Sequence, residues 1–457
     1  MRFVPRAVFL QFSRMIKKKI LSLPEQPSFT DFITRKARGE ELSEGDTRTL
    51  VGLIADGHVL PEQLAAWVMA VCFKGLNAQE TAVLTDETVL SGEVLDLTDI
   101  GVAKVGFRSI GGLGDPCALV LTPLVAACGV VVPTMTDATE SLVCNDLFKL
   151  QAIPGFQTDL PIKNCIQQLK KVRCCFCSQP KQTVPVDQIL SNIRKNTATE
   201  AIIPLLASSI LSRLLSVGSE NVVLDIKNKG RLFKDGDAAQ QLANIVVRTM
   251  RSLKHRCVVL SSNIHQPIGN AVGTVLEIKN VIELLHGRGD PALLDLIIKL
   301  GMEMVRLSGV CGSTLSAKKT VTEHLNNGSA FETFKAMVKA QGGDVSYLEH
   351  PEKFPKAKHL YKLQIAKRGY VHSVDVALLE KGLEILMQPD APGKIDLTVG
   401  ICNVMTAGTP TVSGDTLLEV HYNDESNLDA ALECFRSAFC LTPKRPVIAE
   451  LEIERFA

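Results

Sequence analysis

Net charge is almost absent from this sequence. Lys and Arg number 50 against 49 Asp and Glu, a formal +1 over 457 residues, so the balance gives no electrostatic reason for a nucleic-acid partner. Long apolar runs are missing as well. The stretch AIIPLLASSILSRLL from Ala201 is broken by Pro204, by serines and by Arg213 before it reaches bilayer length, and no membrane span is expected. No secretory signal with a cleavage site, no internal repeat and no low-complexity linker is visible. Cysteine is not scarce, but its 13 copies are scattered, which reads as reduced thiols and not as a disulfide framework. Their one cluster, RCCFC, holds Cys174 and Cys177 in a CxxC with Cys165 nearby. Zinc would need a second ligand pair, so the reading is ordinary strand or loop cysteines with no metal.

What is present is a globular composition, with 46% hydrophobic and 22% charged residues. A chain this long is expected to form two or three domains. The first residues, MRFVPRAVFLQFSRMIKKKIL, carry Arg2, Arg6, Arg14 and Lys17 to Lys19 with no acid before Glu25. This is the composition of a mitochondrial transit segment. The alternatives are a basic helical extension or a later start at Met15, so the expected location is cytoplasmic or mitochondrial.

From Phe29 to Asn77 the pattern is helical. Ser43 followed by Asp46 suits a cap, Pro61 suits a first turn, and Leu64, Val68, Val71 and Cys72 fall on one face. Another helix is expected from Ala78 to Ser91. After Gly101 the texture becomes α/β. Asp115 and Pro116 suit a helix start, VVVP a short buried strand, and NVVLDIK from Asn221 and RCVVLSS from Arg256 two more strands around a helix from Ala238 to Leu253. Strands alternating with helices predict a parallel or mixed sheet. TATEAIIPLLASSILSRLL reads as a buried helix, and Asp290 to Leu307 as another. Beyond His359, KIDLTVGICNVM, TLLEVHYN and PVIAELEI are strand-like, with one helix at NLDAALECFRSAF.

The chemistry is expected at KVGFRSIGGLGDPC, residues 104–117. Gly111, Gly112 and Gly114 can bring backbone N–H groups close to an anion, and a helix start just beyond adds its positive end. By itself the motif is weak, because glycine turns also serve merely to join elements tightly.

The order FITRKARGEEL, ADGHVLPEQLAAWVMAVCFKGLNAQETAVLTDETVLSGEVLDL, SIGGLGD, LVLTPLVAACGVVVP, FKLQAIPGF, TATEAIIPLLASSILSRLL, VVLDIK and PIGNAVGTVLEI resembles the thymidine and pyrimidine nucleoside phosphorylases, from about Phe29 to the C-terminus. The resemblance implies a small all-helical domain (24–90 and 186–216), a large α/β domain (91–185 and 217–358) and a C-terminal α+β, β-rich unit (359–457). It also implies a cleft between the two domains, a homodimer, and no metal or organic cofactor. The implied reaction is attack of phosphate on the anomeric carbon of a pyrimidine nucleoside, giving free base and a pentose 1-phosphate. Such a transition state needs a phosphate cage on one side and cationic donors at the base.

The family's loop reads Lys-His-Ser-Thr-Gly-Gly-x-Gly-Asp. Its phosphate-holding lysine is Phe107 here, a loss of a charge-assisted bond worth about 1.5–3 kcal/mol. Its base-protonating histidine is Arg108, able to donate hydrogen bonds but a poor proton donor near neutral pH, and its threonine is Ile110. A phosphate-contacting serine in the following helix is Ala118. Ser109 and the glycines remain. The family's Ser-Gly-Arg-Gly-Leu-Gly-His-Thr-Gly-Gly-Thr-x-Asp-Lys-Leu-Glu has become TDATESLVCNDLFKLQ, Thr136 to Gln151, with its last phosphate-contacting threonine replaced by Asp146. At ~4 Å and an effective dielectric near 20, that carboxylate would oppose an anion by up to roughly 4 kcal/mol.

On the base side, Arg194 and Ser209 match the family's arginine and serine, Arg213 replaces its lysine, and Thr136 is placed with them as substrate-binding. An ordinary ion pair or a solvated helix face is the bland account of both arginines. Register with the family favours a site role. Three readings follow: a protein that has lost or altered phosphorolysis and keeps pyrimidine binding; an active nucleoside phosphorylase in which Arg108 supplies the charge; and a dimeric partner-binding scaffold.

Overall fold

A computed structural model describes residues 27–136, 143–228, 233, 236–262, 266–388, 395–447 and 453–457. The basic N-terminal segment and residues 137–142 of the altered loop lie outside the described residues.

Four helices come first: α1 (Phe29–Arg38), α2 (Glu44–Ala55), α3 (Pro61–Lys74) and α4 (Ala78–Leu90). Reciprocal caps start two of them. Ser43 and Asp46 exchange side chain to backbone hydrogen bonds at the head of α2, as do Asn77 and Glu80 at the head of α4. Leu64, Val68 and Val71 are buried as expected, but Cys72 is exposed. At about 100° per residue it stands some 80° round from Leu64, at the edge of the apolar stripe.

The chain then forms β1 (Val105–Ile110), α5 (Cys117–Ala127), β2 (Val132–Thr136), α6 (Asp146–Leu150), α7 (Ile162–Val172) and β3 (Cys174–Ser178). It returns to the helices with α8 (Pro185–Asn196) and α9 (Ile203–Ser216), so that Val186, Leu190 and Leu205 share one core with Phe32, Leu50, Ile54 and Trp67. The expected helix over 197–202 is a turn instead, since Pro204 sits in the first turn of α9 and sets where it starts. The crossings run side by side: Glu93 N donates to Gln182 O at 2.7 Å and Leu95 N to Ser216 O at 2.9 Å.

β4 (Asn221–Lys227), α10 (Gly236–Ser252), β5 (Arg256–Ser262), β6 (Ala271–Val272), α11 (Thr274–Leu285), α12 (Pro291–Ser308), α13 (Thr314–Asn326), α14 (Ser329–Ala340) and α15 (Ser346–Glu349) follow. β1, β4 and β5 are parallel, with Phe107 beside Val223 and Ser109 beside Asp225. One face of this sheet carries Val105, Phe107, Val223, Val258 and Leu260 into the main core; the other packs Ile110, Val222, Leu224 and Val259 with Ala207, Leu211 and Leu214 of α9. The β2–β3 pair is joined to the β1 side by a bridge between Lys104 and Val131.

The terminal unit holds β7 (His359–Gln364), β8 (Gly369–Val374), α16 (Val376–Leu386), β9 (Gly400–Cys402), β10 (Pro410–Thr411), β11 (Thr416–Tyr422), α17 (Leu428–Ala438) and β12 (Phe439–Thr442). Two exchanges blur the expected boundaries. β13 (Ile453–Phe456) leaves this unit and pairs antiparallel with β5, and β6 of the α/β part pairs with β9. A strand of four residues carries no sign of its partner, because pairing is settled by distant backbone. In RCCFC, strand alternation separates the CxxC: Cys174 joins the main core, while Cys175 and Cys177 pack with Cys165, whose Sγ lies 3.5 Å from that of Cys177. No helix among the described residues is long and apolar enough to cross a membrane.

Candidate functional site

The end of β1 divides the residues that the sequence placed together. Period-2 alternation sets Phe107 and Ser109 on one face of the sheet and Arg108 on the other, the face covered by α9. Phe107 is 3% exposed and packs in the main core with Val105, Val223 and Val258, where Ala118 of α5 also lies. Its ring is a core side chain, at the position where the resemblance implies a phosphate-holding lysine. The physical reason is the neighbouring strand: Val223 opposite it makes that face apolar.

Ser109 opens a buried polar network instead. Its Oγ donates to Asp115 Oδ2 at 2.5 Å and lies 3.4 Å from Asp225 Oδ2. Lys227 Nζ pairs with Asp225 and stands 3.7 Å from Asp115 Oδ2, and Ser262 Oγ donates to Asp225 Oδ1 at 3.3 Å. Cys117 N, at the start of α5, donates to Asp115 Oδ1 at 2.9 Å. Thus Asp115 is the anion at that helix start, and α5 begins one residue later than Pro116 suggested. Burial acts to raise Asp115, but Lys227, Ser109 and the Cys117 N–H outweigh it and hold the carboxyl below its ordinary value. Burial, with Asp115 close by, pushes Asp225 up against the pull of Lys227. Burial would lower Lys227; the two carboxylates reverse this and keep it protonated.

A second cluster adjoins the first. Asp146, at the head of α6, pairs with Lys149 at 3.0 Å, and Lys149 Nζ lies 2.8 Å from Glu277 Oε2 and donates to Asp115 O at 3.4 Å. Gly273 N donates to Glu277 Oε1 at 3.1 Å. Burial raises Glu277 to about 7 despite Lys149. The carboxylate of Asp146, expected to oppose an anion, is thus paired with a cation of its own helix. One helical turn brings Lys149 onto it.

Packing also claims the glycines. A Cβ on Gly112 would meet Ile268 Cδ1 at 2.9 Å, and one on Gly114, where φ is +61°, would meet Ala271 O at 2.8 Å. The backbone agrees: Gly269 N donates to Gly114 O at 2.9 Å. Gly111 has a φ of 87°. Tight joining to residues 268–271 accounts for this turn without an anion.

On the helical side, Arg194 is 5% exposed and spends its guanidinium on carbonyls, those of Thr199 and Leu205 at 3.4 Å each and that of Glu200. It fastens the turn between α8 and α9. Arg213 donates to Asp187 Oδ2 at 2.5 Å and to Ser191 Oγ at 3.2 Å. Ser209 is half-buried one turn before it on α9. Thr136 ends β2, buried, its carbonyl accepting from Gln179 N at 3.0 Å. Sequence reasoning missed Asp225, Lys227, Lys149, Glu277 and Asp187. A signal existed for two: in NVVLDIK, charges at alternate positions of an otherwise apolar strand share one face.

Comparison with known proteins fits this architecture. The descriptions "Glycosyl transferase family, helical bundle domain" and "Glycosyl transferase family, a/b domain" match residues 30–92 and 102–331. A pyrimidine-nucleoside phosphorylase of Staphylococcus aureus is 33% identical over 399 residues, 86% of this chain and 92% of that one. One from Staphylococcus haemolyticus is 32% identical over 432 residues, 92% of this chain and 99% of that one. The crystal structure of anthranilate phosphoribosyltransferase (TrpD) from Thermus thermophilus superposes with a TM-score of 0.56 at 15% identity, covering 68% of this chain and 99% of that one, a likeness of fold alone. With a helical bundle in two sequence segments, an α/β part beside it and relatives matched over nearly their whole length, the chain belongs to the glycosyl transferase family that includes the pyrimidine-nucleoside phosphorylases.

Proposed function

We propose that this chain is a phosphorylase-fold protein in which phosphorolysis is lost or strongly altered, and which keeps the capacity to bind a pyrimidine base or nucleoside as a homodimer. The observation that carries this reading is the placement of Phe107. The position expected to bring a cation to the substrate anion brings an aromatic ring to the core. Two further features support it. Each lysine of the two buried clusters already serves two carboxylates, Lys227 with Asp115 and Asp225, Lys149 with Asp146 and Glu277. Ser109, the hydroxyl kept on the phosphate side, points its hydrogen bond at Asp115. Asp115 does not discriminate, because it belongs to the pattern that the chain resembles. On the other side, Arg213 is held in orientation by Asp187 and Ser191, which suits a carbonyl-bearing ring.

The test uses purified full-length protein. Phosphate-dependent release of thymine or uracil from nucleosides is expected to be absent, while thymidine or uracil raises the melting temperature and phosphate alone does not. Turnover that disappears on Arg108→Ala would overturn the reading in favour of an active nucleoside phosphorylase. The identity to named phosphorylases favours that second reading. A stable protein complex with no shift by any pyrimidine would instead support a scaffold.

A further inference from the structure

A separate group of chemistry-bearing side chains lies in the terminal unit. β9 and β11 pair antiparallel with Cys402 directly opposite Glu419, and His421, two residues along β11, shares that face. Cys402 Sγ is 3.2 Å from His421 Nε2 and 3.7 Å from Glu419 Oε2, and the three donor atoms lie within 4.8 Å of one another. All three residues are half-buried, reachable from solvent yet held by strands. A sulfur, an imidazole nitrogen and a carboxylate oxygen are each ligand types that zinc accepts. Two such donors at tetrahedral angles on one zinc stand about 3.6 Å apart, so the two separations from the sulfur need only a few tenths of an ångström of adjustment.

The surroundings hold these donors in place. Asn403 Nδ2 donates to Glu419 Oε2 at 2.9 Å, and Asn403 Oδ1 accepts from Asn270 Nδ2 at 3.3 Å. Such outer contacts orient ligands. One cation faces the group from β7, Lys362, 3.5 Å from Glu419 Oε1. One thiolate and one carboxylate balance a divalent charge.

We propose that Cys402, Glu419 and His421 bind one thiophilic divalent cation of the zinc class, with water in the fourth position. Binding forms metal–sulfur, metal–nitrogen and metal–oxygen bonds, releases the thiol proton to solvent and changes no oxidation state. The ion ties β9 to β11 and, through the Ala271–Cys402 pairing, to β6.

Cobalt(II) titrated into reduced, metal-free, full-length protein is the probe, because a cobalt–thiolate bond adds a charge-transfer absorption band. The expected result is one equivalent per chain, displaced by zinc, with the band lost in Cys402→Ser and kept in Cys440→Ser, a control at an exposed cysteine. Asn403→Ala is expected to weaken binding about ten-fold. Should Cys402→Ser fail to fold by circular dichroism, His421→Gln and Glu419→Gln give the same readout. A wild-type titration without the band, or a band that survives in Cys402→Ser or in both of the latter variants, overturns the proposal and leaves a thiol–imidazole hydrogen bond only.

Discussion

Ser109 and Asp115 are joined by a 2.5 Å hydrogen bond across the glycine turn, with Lys227 standing 3.7 Å beyond on the same carboxylate oxygen. The turn is thereby closed on its own acid. Ser109→Ala removes one donor from a buried carboxylate that keeps the Cys117 N–H and the Lys227 charge, and should cost about 1–2 kcal/mol. Lys227→Met leaves Asp115 and Asp225 without their common cation and should cost about 3–5 kcal/mol. Adding Asp225→Asn to Lys227→Met should recover part of that loss. Urea denaturation midpoints measure all three, and a Lys227→Met protein as stable as wild type would contradict the network.

Phe107 fills core volume beside Val223 and Val258. Phe107→Ala is expected to cost about 3–5 kcal/mol through the cavity it leaves. Phe107→Lys, which introduces the residue that the resemblance implies there, should also destabilise and should not by itself produce a melting-temperature rise in phosphate. Such a rise in that single variant would return the position to the cleft.

Arg194 satisfies three backbone carbonyls from inside the fold, so its removal acts on stability whatever binds nearby. Arg194→Ala should lose roughly 3 kcal/mol. Arg194→Lys should regain less than half, because a single ammonium cannot span the same acceptors. Denaturation without ligand reads this directly; unchanged stability would instead favour a role confined to substrate.

Glu277 gives a pH signature. Burial raises it from 4.5 to about 7 in the folded chain, so between those values the folded state binds more protons than the unfolded one. Its contribution is fully present below about 4.5, falls as pH rises and is gone above about 7, a change on the order of 3 kcal/mol. Glu277→Gln should flatten that slope in urea midpoints measured across the window. An equal slope in the variant would exclude Glu277 as its source.

Much of this molecule was readable along the chain. The cap at Ser43, the proline start at Pro61 and the strands at Asn221 and Arg256 stand within a few residues of where short-range sterics and hydrogen bonding place them. The family could also be read from motif order, because its glycines, prolines and apolar runs keep their spacing over nearly the whole length. That Phe107, Ala118 and Asp146 stand where the resemblance implies phosphate contacts is likewise a reading of the sequence alone.

What those residues contact was decided by tertiary structure. Phe107 faces the core because β4 lies beside it; Asp146 is paired because α6 brings Lys149 round, a lysine that Glu277 of α11 shares; β13 joins β5 from the far end of the chain. Local rules fix backbone conformation over a few residues. A buried charge, however, depends on partners that come from distant segments, and in a low-dielectric interior those partners determine its protonation and its reach.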